Sequence, residues 1–339
     1  MKKIALILSV AFLCSAAEAK DPVLLSNDSW PPFILEGDDQ GTSERLVCEA
    51  LERSGRPCRV DVKEWSLVLE EARIGAIDGI AAAWRTPERE KFLLFSEPYL
   101  SNQIVPVASN TGNTTIKSAA DLAGKRVALV TDYAYGDKIT ALSGTFTIVN
   151  AQSSLDALKL VTSGKAEVAL VDDLVSRDAI AADLMEDLIA FDVVLAFRDL
   201  HFAVSLQNPM AEAIIDDFQR AYKLMLTDGT VNEILNVDWL ATDFGQKGSL
   251  NVVMRSGVSL DDLASPANDG EVFALEASEY DIMQKKSIDP SRVKYQVDGN
   301  SYSTLQAAMD DAFGKDTPCK HKNYTSQFDC TDLFKSNRR

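Results

Sequence analysis

The stretch LEEARIGAIDGIAAA, Leu69 to Ala83, and its echo LKLVTSGKAEVALVD, Leu158 to Asp172, decide how the chain folds. Each opens with apolar residues at helical spacing and stops at a glycine, Gly75 or Gly164. Each then passes an acidic residue, Asp78 or Glu167, and ends in an apolar run. A glycine just past a helical pattern ends the helix, and a short apolar run after it is a strand covered on both faces. One helix–glycine–acid–strand unit occurring twice predicts two similar α/β lobes. Outward from the first copy, Val23–Leu25 reads as a strand. A helix carrying Leu46, Val47, Ala50 and Leu51 follows, with Thr42 and Ser43 able to cap it and Gly55 to end it. Arg59–Lys63 alternates like a strand, a helix runs from about Ser66 to Ile74, and Ile77–Ala83 is a buried strand. This β-α-β-α-β order implies a mostly parallel sheet with right-handed crossovers. Around the second copy, Arg126–Val130 and Phe146–Val149 are strands and Ser153–Thr162 is an amphipathic helix before Val168–Val171. His201–Ser205 then reads as a strand and Met210–Thr227 as a long helix. Two stretches between the lobes, Ser101–Asn110 and Val193–Gln207, are apolar and extended rather than Gly/Ser-rich, which predicts a double-strand hinge with the chain returning to the first lobe.

The 339 residues carry 34 Lys and Arg against 51 Asp and Glu, a formal charge of −17. That balance argues against nucleic acid and anionic membrane surfaces as partners, since both need clustered cations. The only two histidines, His201 and His321, stand in no ligand-spaced motif, so no metal or other cofactor is implied. At the N-terminus, Met1-Lys2-Lys3 precedes an apolar run from Ile4 to Leu13, and Ala17-Glu18-Ala19 offers a signal-peptidase site. A run of about ten residues is too short for a bilayer span of roughly 20. A lipoprotein signal at Cys14 is the competing reading, but Leu13 stands where lipidation wants a small residue. The expected mature chain starts at Lys20 and is exported. Cys48, Cys58, Cys319 and Cys330 remain in it, and an even number in an exported chain suggests disulfides. Three pairings are open; the local pairs Cys48–Cys58 and Cys319–Cys330 are favoured.

Further residues carry a resemblance. Arg85-Thr86-Pro87-Glu88-Arg89 followed by Phe95-Ser96-Glu97-Pro98-Tyr99 resembles the T-x-x-R…FS-x-PY signature of the family 3 extracellular solute-binding proteins, receptors of polar amino-acid ABC importers. Asp121–Lys125, Asn208-Pro209, Asp228-Gly229-Thr230 and Trp239 fit the same pattern, which covers roughly residues 22–242. The resemblance implies a two-lobed periplasmic binding protein fold of type II. Its expected first lobe is residues 20–107 and 200–244, its second lobe 108–199, with a small C-terminal extension at 245–339. It also implies a monomer that holds a small polar solute, an amino acid or related amine, between its lobes and hands it to an inner-membrane ABC permease. The expected location is periplasmic.

The candidate ligand residues are Arg89, Asp172, Trp30, Asn27, Trp84, Thr86, Arg85, Thr131 and Tyr133. A solute carboxylate and ammonium are heavily hydrated, so a cleft must replace their water with charged partners. By position alone Arg89 is either a carboxylate clamp at a sheet edge or a surface arginine paired with Glu88 or Glu90. The resemblance implies the clamp. Asp172 ends a buried strand, where the family holds the ammonium; the alternative is a helix cap, a role assigned here to Asp173 instead. Trp30, ahead of Pro31-Pro32-Phe33, matches an aromatic wall. The chain departs from the family at Ala82 and Trp84, where small hydroxyl residues or Gly are usual, and at Thr131-Asp132-Tyr133-Ala134-Tyr135, where Gly, Ser and Thr are. An aspartate there repels an anion, and Trp30, Trp84, Tyr133 and Tyr135 can enclose a ring or a cation, so a cationic, aromatic or non-standard solute is expected. Two rivals share the scaffold: an enzyme of the dehydratase type, needing a cleft acid such as Glu88 or Asp172, and a ligand sensor serving a signalling receptor. A transglycosylase would need a larger second domain than the final 95 or so residues provide.

Overall fold

A computed structural model of the chain describes residues 22–181, 187–242, 250–257, 272–275 and 293–313. The first lobe begins with β1 (Val23–Asn27), α1 (Thr42–Arg53), β2 (Cys58–Val62), α2 (Trp65–Ile74) and β3 (Gly79–Trp84). The two parallel neighbours of β1 are β2, with Leu25 opposite Val60, and β3, with Leu25 opposite Gly79. The second lobe repeats the plan in β6 (Arg126–Val130), α3 (Asp137–Leu142), β7 (Thr147–Ala151), α4 (Ser154–Thr162) and β8 (Val168–Asp172). Here β6 lies parallel to both β7 and β8.

The repeated unit has a physical reason. Gly75 closes α2 at φ 74° and Gly164 follows α4 at φ 69°, left-handed conformations that a Cβ would strain. The acid that follows then serves the sheet. Asp78 accepts the Leu24 N–H at 2.8 Å, and Glu167 accepts the Arg126 N–H at 3.1 Å. Each carboxylate thus takes an amide of the strand beside its own, and that bond holds the Glu167 carboxyl below its ordinary range.

Two ten-residue strands join the lobes, β5 (Leu100–Ser109) and β10 (Ala196–Ser205). They pair antiparallel where Leu100–Ile104 faces Ala196–Leu200. Beyond that crossing β10 runs onto β3 and onto β4 (Leu93–Phe95), while β5 runs onto β8 and β9 (Leu188–Ala190). Among the described residues the result is one sheet whose main path reads β2-β1-β3-β10-β5-β8-β6-β7, four strands mirrored about the crossing. The expected double-strand connection and two-lobed α/β architecture are present.

On the first lobe α6 (Ala211–Thr227) packs against α1, with the buried Arg56–Asp217 ion pair at 2.7 Å beside their contact. A disulfide joins Cys48 on α1 to Cys58 on β2, one of the expected local pairs. Cys319 and Cys330 lie outside the described residues. The α1 N-terminus differs from expectation: Gly41 is the cap residue, with no side-chain cap, and the Thr42 hydroxyl donates to the Pro32 carbonyl instead.

After α7 (Thr230–Leu235) the chain enters a second sheet of β11 (Trp239–Thr242), β12 (Leu250–Met254), β13 (Val272–Ala274), β14 (Val293–Val297) and β15 (Asn300–Tyr302), in the order β13-β11-β12-β14-β15. Strand alternation explains how it sits. Trp239, Val252 and Val293 face α8 (Leu305–Phe313) and pack with Met309, whereas Leu240, Val253 and Leu275 join the main core. The sheet therefore begins at Trp239, inside the range expected for the first lobe, because one face of β11 is needed to close the accessory core.

Candidate functional site

Three strands end at one place. Asp28 follows β1, Trp84 ends β3, and the loop Thr131–Tyr135 follows β6, all at carboxyl ends of parallel strands, where α/β sheets bind ligands. A short 3-10 turn, Arg89–Lys91, brings Arg89 back over the end of β3. Together Asp28, Trp30, Trp65, Ala82, Ala83, Trp84, Arg89 and Tyr133 enclose a cavity of about 10 Å³, room for roughly one water.

The Arg89 side chain is buried, 6% exposed. Its guanidinium donates to the Trp84 carbonyl at 2.6 Å and, across to the other lobe, to the Asp132 carbonyl at 2.9 Å. It also lies 4.8 Å from the Trp65 ring centre, a cation–π distance. Burial lowers its pKa to about 10, and the charge of Arg198 pushes the same way. Among the described residues no carboxylate forms an ion pair with it. Its opposite number is Asp28, whose buried carboxylate accepts the Tyr133 hydroxyl at 2.5 Å and the Asn27 amide at 3.3 Å. Burial raises the Asp28 pKa to about 6, against the lowering effect of those two hydrogen bonds. Asp28 likewise forms no ion pair among the described residues, so the cavity holds a cation and an anion with neither cancelled by a salt bridge.

The aromatic enclosure is real geometry. The Tyr133 ring centre lies 5.3 Å from Trp84, 5.7 Å from Trp30 and 6.0 Å from Trp65, each edge to face. Trp30 and Trp84 meet at 5.4 Å, and Tyr135 adds a contact to Trp84 at 5.9 Å. The Trp84 indole donates to Asn102 Oδ1 on β5 at 2.7 Å, tying the cavity wall to the crossing strands. The Trp30 indole N–H is buried and has no hydrogen-bond partner among the described residues.

The remaining expected residues are placed elsewhere or act indirectly. Asn27 braces β1 to β3 by exchanging two bonds with Ala82, at 2.8 and 3.1 Å. Thr86 accepts the Arg89 N–H and orients the turn. Arg85 is exposed and pairs with Glu90, the role weighed for Arg89. Thr131 is exposed, its hydroxyl donating to the Ala151 carbonyl. Asp172 is not among the residues lining the cavity, and it rather than Asp173 caps α5 (Asp173–Ala181). Its carboxylate accepts the Leu174 N–H at 2.9 Å and the Gln103 N–H of the crossing strand at 3.0 Å. Position alone had missed Asp28 and Trp65; an acid directly after the first parallel strand was the available signal for the former.

Burial raises the Asp172 pKa to about 7, well above the roughly 3.9 of an unfolded aspartate. A raised folded pKa contributes stability that is full below about pH 4 and lost as pH rises through about 7. The wild-type melting temperature should therefore fall more between pH 5 and pH 8 than that of Asp172→Asn, by at least ~2–4 °C, equivalent to ~1 kcal/mol. Parallel melting profiles for the two proteins would remove Asp172 from the pH response.

The comparisons fit this architecture. The family model of the bacterial extracellular solute-binding proteins, family 3, matches residues 23–241, and the chain belongs to that family. Among curated relatives, an amino-acid-binding protein, AabA of Dichelobacter nodosus, is 29% identical over 144 residues, covering 40% of this chain and 56% of that protein. Membrane-bound lytic murein transglycosylase F of Ectopseudomonas mendocina (strain ymp) is 32% identical over 111 residues, covering 30% of this chain and 22% of that protein. The chain thus spans only about half, or a fifth, of these relatives. Among solved structures, a mutant of ArgBP from T. maritima superposes with a TM-score of 0.57 at 20% identity, covering 64% of this chain and 93% of that one. At that identity the likeness is one of fold. No helix of the described residues is long and apolar enough to cross a membrane.

Proposed function

We propose that the protein is a periplasmic receptor that closes its two lobes around a small amine-bearing solute, an amino acid or a related amine, and presents it to an inner-membrane ABC permease. The observation that carries this reading is the pairing of Asp28 and Arg89 in one buried cavity. The first is an acceptor for an ammonium and the second a fork for a carboxylate, and both are reached from the opposite lobe by the same loop. Three tryptophans between them suit the face of a cation or the stem of a side chain. Closure follows because only the closed form lets a solute touch both lobes. The site residues bind and orient; no proton transfer is assigned to them, and the protein acts without catalysis.

Ionisation of Asp28 gives the test. Its carboxylate must be charged to hold an ammonium, and burial raises its pKa to about 6. Affinity for an amine should accordingly fall as pH drops through about 6, by up to ~10-fold per pH unit below it. Calorimetric titration at pH 7.5 and pH 5 with amino acids, polyamines and quaternary amines measures this, and Asp28→Asn should flatten the profile. Tight binding confined to glutamate or aspartate, with no pH response of this sign, would count against the amine reading.

A further inference from the structure

The Asp132–Tyr133 dipeptide does at the cavity what a bound solute would do. Tyr133 belongs to the second lobe, yet its ring sits among Trp30, Trp65 and Trp84 of the first, and its hydroxyl donates to Asp28. One residue earlier, the Asp132 carbonyl accepts both the Arg89 guanidinium at 2.9 Å and the Trp65 indole at 3.3 Å. Asp132 takes φ 62°, a left-handed conformation that aspartate tolerates better than most residues. That conformation turns the chain one residue before Tyr133. What remains between Asp28 and the three tryptophans is room for about one water, so no amino acid fits there while the loop stays, although an open groove of about 440 Å³ lies on the outer side of Arg89 and Asp132.

We propose that Tyr133 is a tethered internal ligand: it latches the solute-free protein closed, and a solute enters only by displacing it from Asp28 and the tryptophans. This inference rests on the solute-receptor reading and adds to it a rule of selection. A neutral phenol hydroxyl already satisfies Asp28. A newcomer gains there only if its donor is charged, because charge-assisted hydrogen bonds are roughly twice as strong as neutral ones. The latch therefore discriminates against neutral solutes and in favour of ammonium-bearing ones. It also lowers every apparent affinity, since the competent open form is only a fraction of the population.

The latch can be tested without knowing the solute. Small-angle X-ray scattering and acrylamide quenching report closure directly, and three of the four tryptophans in the chain line the cavity. Solute-free wild type should scatter as a closed particle with poorly quenched tryptophans. Tyr133→Ala should scatter as a larger particle and quench at least ~2-fold more strongly, with Tyr133→Phe, which keeps the ring and loses only the hydroxyl, in between. Circular dichroism confirms that the variants are folded, and Tyr133→Phe carries the test alone if Tyr133→Ala is not. Equal scattering and quenching across the three proteins, or a wild type already open, would overturn the latch. The second arm titrates wild type and variants with L-lysine, putrescine and choline. Any probe that binds wild type should bind Tyr133→Ala at least ~5-fold more tightly; equal or weaker binding would overturn the proposal. If no probe binds either protein, the amine-receptor reading is what fails, and the scattering arm still decides the latch.

Discussion

Arg89→Ala is expected to lose about 2–5 kcal/mol of solute affinity, or ~30- to ~4,000-fold, the usual effect of truncating one member of a buried charged pair. Arg89 is 6% exposed and gives its guanidinium donors to two carbonyls rather than to a carboxylate. A solute carboxylate replacing the Asp132 carbonyl would turn a neutral acceptor into a charged, two-point one. Arg89→Lys keeps the charge and loses the fork, so it should fall between wild type and alanine. Calorimetry with the tightest-binding amine that also carries a carboxylate measures all three. Undiminished affinity in a folded Arg89→Ala protein would take Arg89 out of the site.

The second large effect concerns the scaffold. Phe218 on α6 is 1% exposed, stacks on Tyr222 at 5.6 Å and 14°, and meets Phe202 of β10 at 5.0 Å and Tyr99 at 6.1 Å. Phe218→Ala should destabilise the protein by ~3–5 kcal/mol, transfer loss plus cavity. Urea unfolding should show it as a lower midpoint with an unchanged slope. Loss under ~1 kcal/mol would mean that this cluster collapses around the gap and is not the support for the crossing strands described above. The cluster matters to the site because the Tyr99 hydroxyl donates to the Ala81 carbonyl of β3 and the Tyr99 carbonyl accepts the Tyr222 hydroxyl. Through Tyr99, α6 sets the height of the strand that ends in Trp84.

These contacts show what the sequence could and could not say. The Phe95–Tyr99 signature is mostly architecture: the Ser96 N–H donates to the Phe202 carbonyl, the Ser96 hydroxyl accepts the Phe202 N–H, and Tyr99 anchors β3. Only the Thr86–Arg89 half of the motif reaches the cavity. The twin lobes were legible because Gly75 and Gly164 close helices and Asp78 and Glu167 each take a neighbouring strand's amide, a local job that leaves a local pattern. Trp84 and Tyr133 were legible as departures from small residues, and Trp30 as a match to an aromatic wall. Asp28 was not, since an aspartate before Ser29 looks like any turn residue until the fold buries it against Tyr133. Trp65 opens α2 and looks like ordinary helix core. Asp172 was read as a cleft acid because strand end and helix cap are the same residue there; the choice depends on Gln103, a partner 69 positions away. The sheet membership of Trp239 depended on β13 and β14, likewise remote in the chain.

A crystal structure of the protein grown with the tightest-binding amine tests the receptor account most directly. The account predicts the amine on the Asp28 carboxylate, its acidic or carbonyl end on the Arg89 guanidinium, its body against Trp30, Trp65 and Trp84, and Tyr133 withdrawn. A solute seated on some other surface, with the hydroxyl of Tyr133 still on Asp28 and the cavity unchanged, would contradict it.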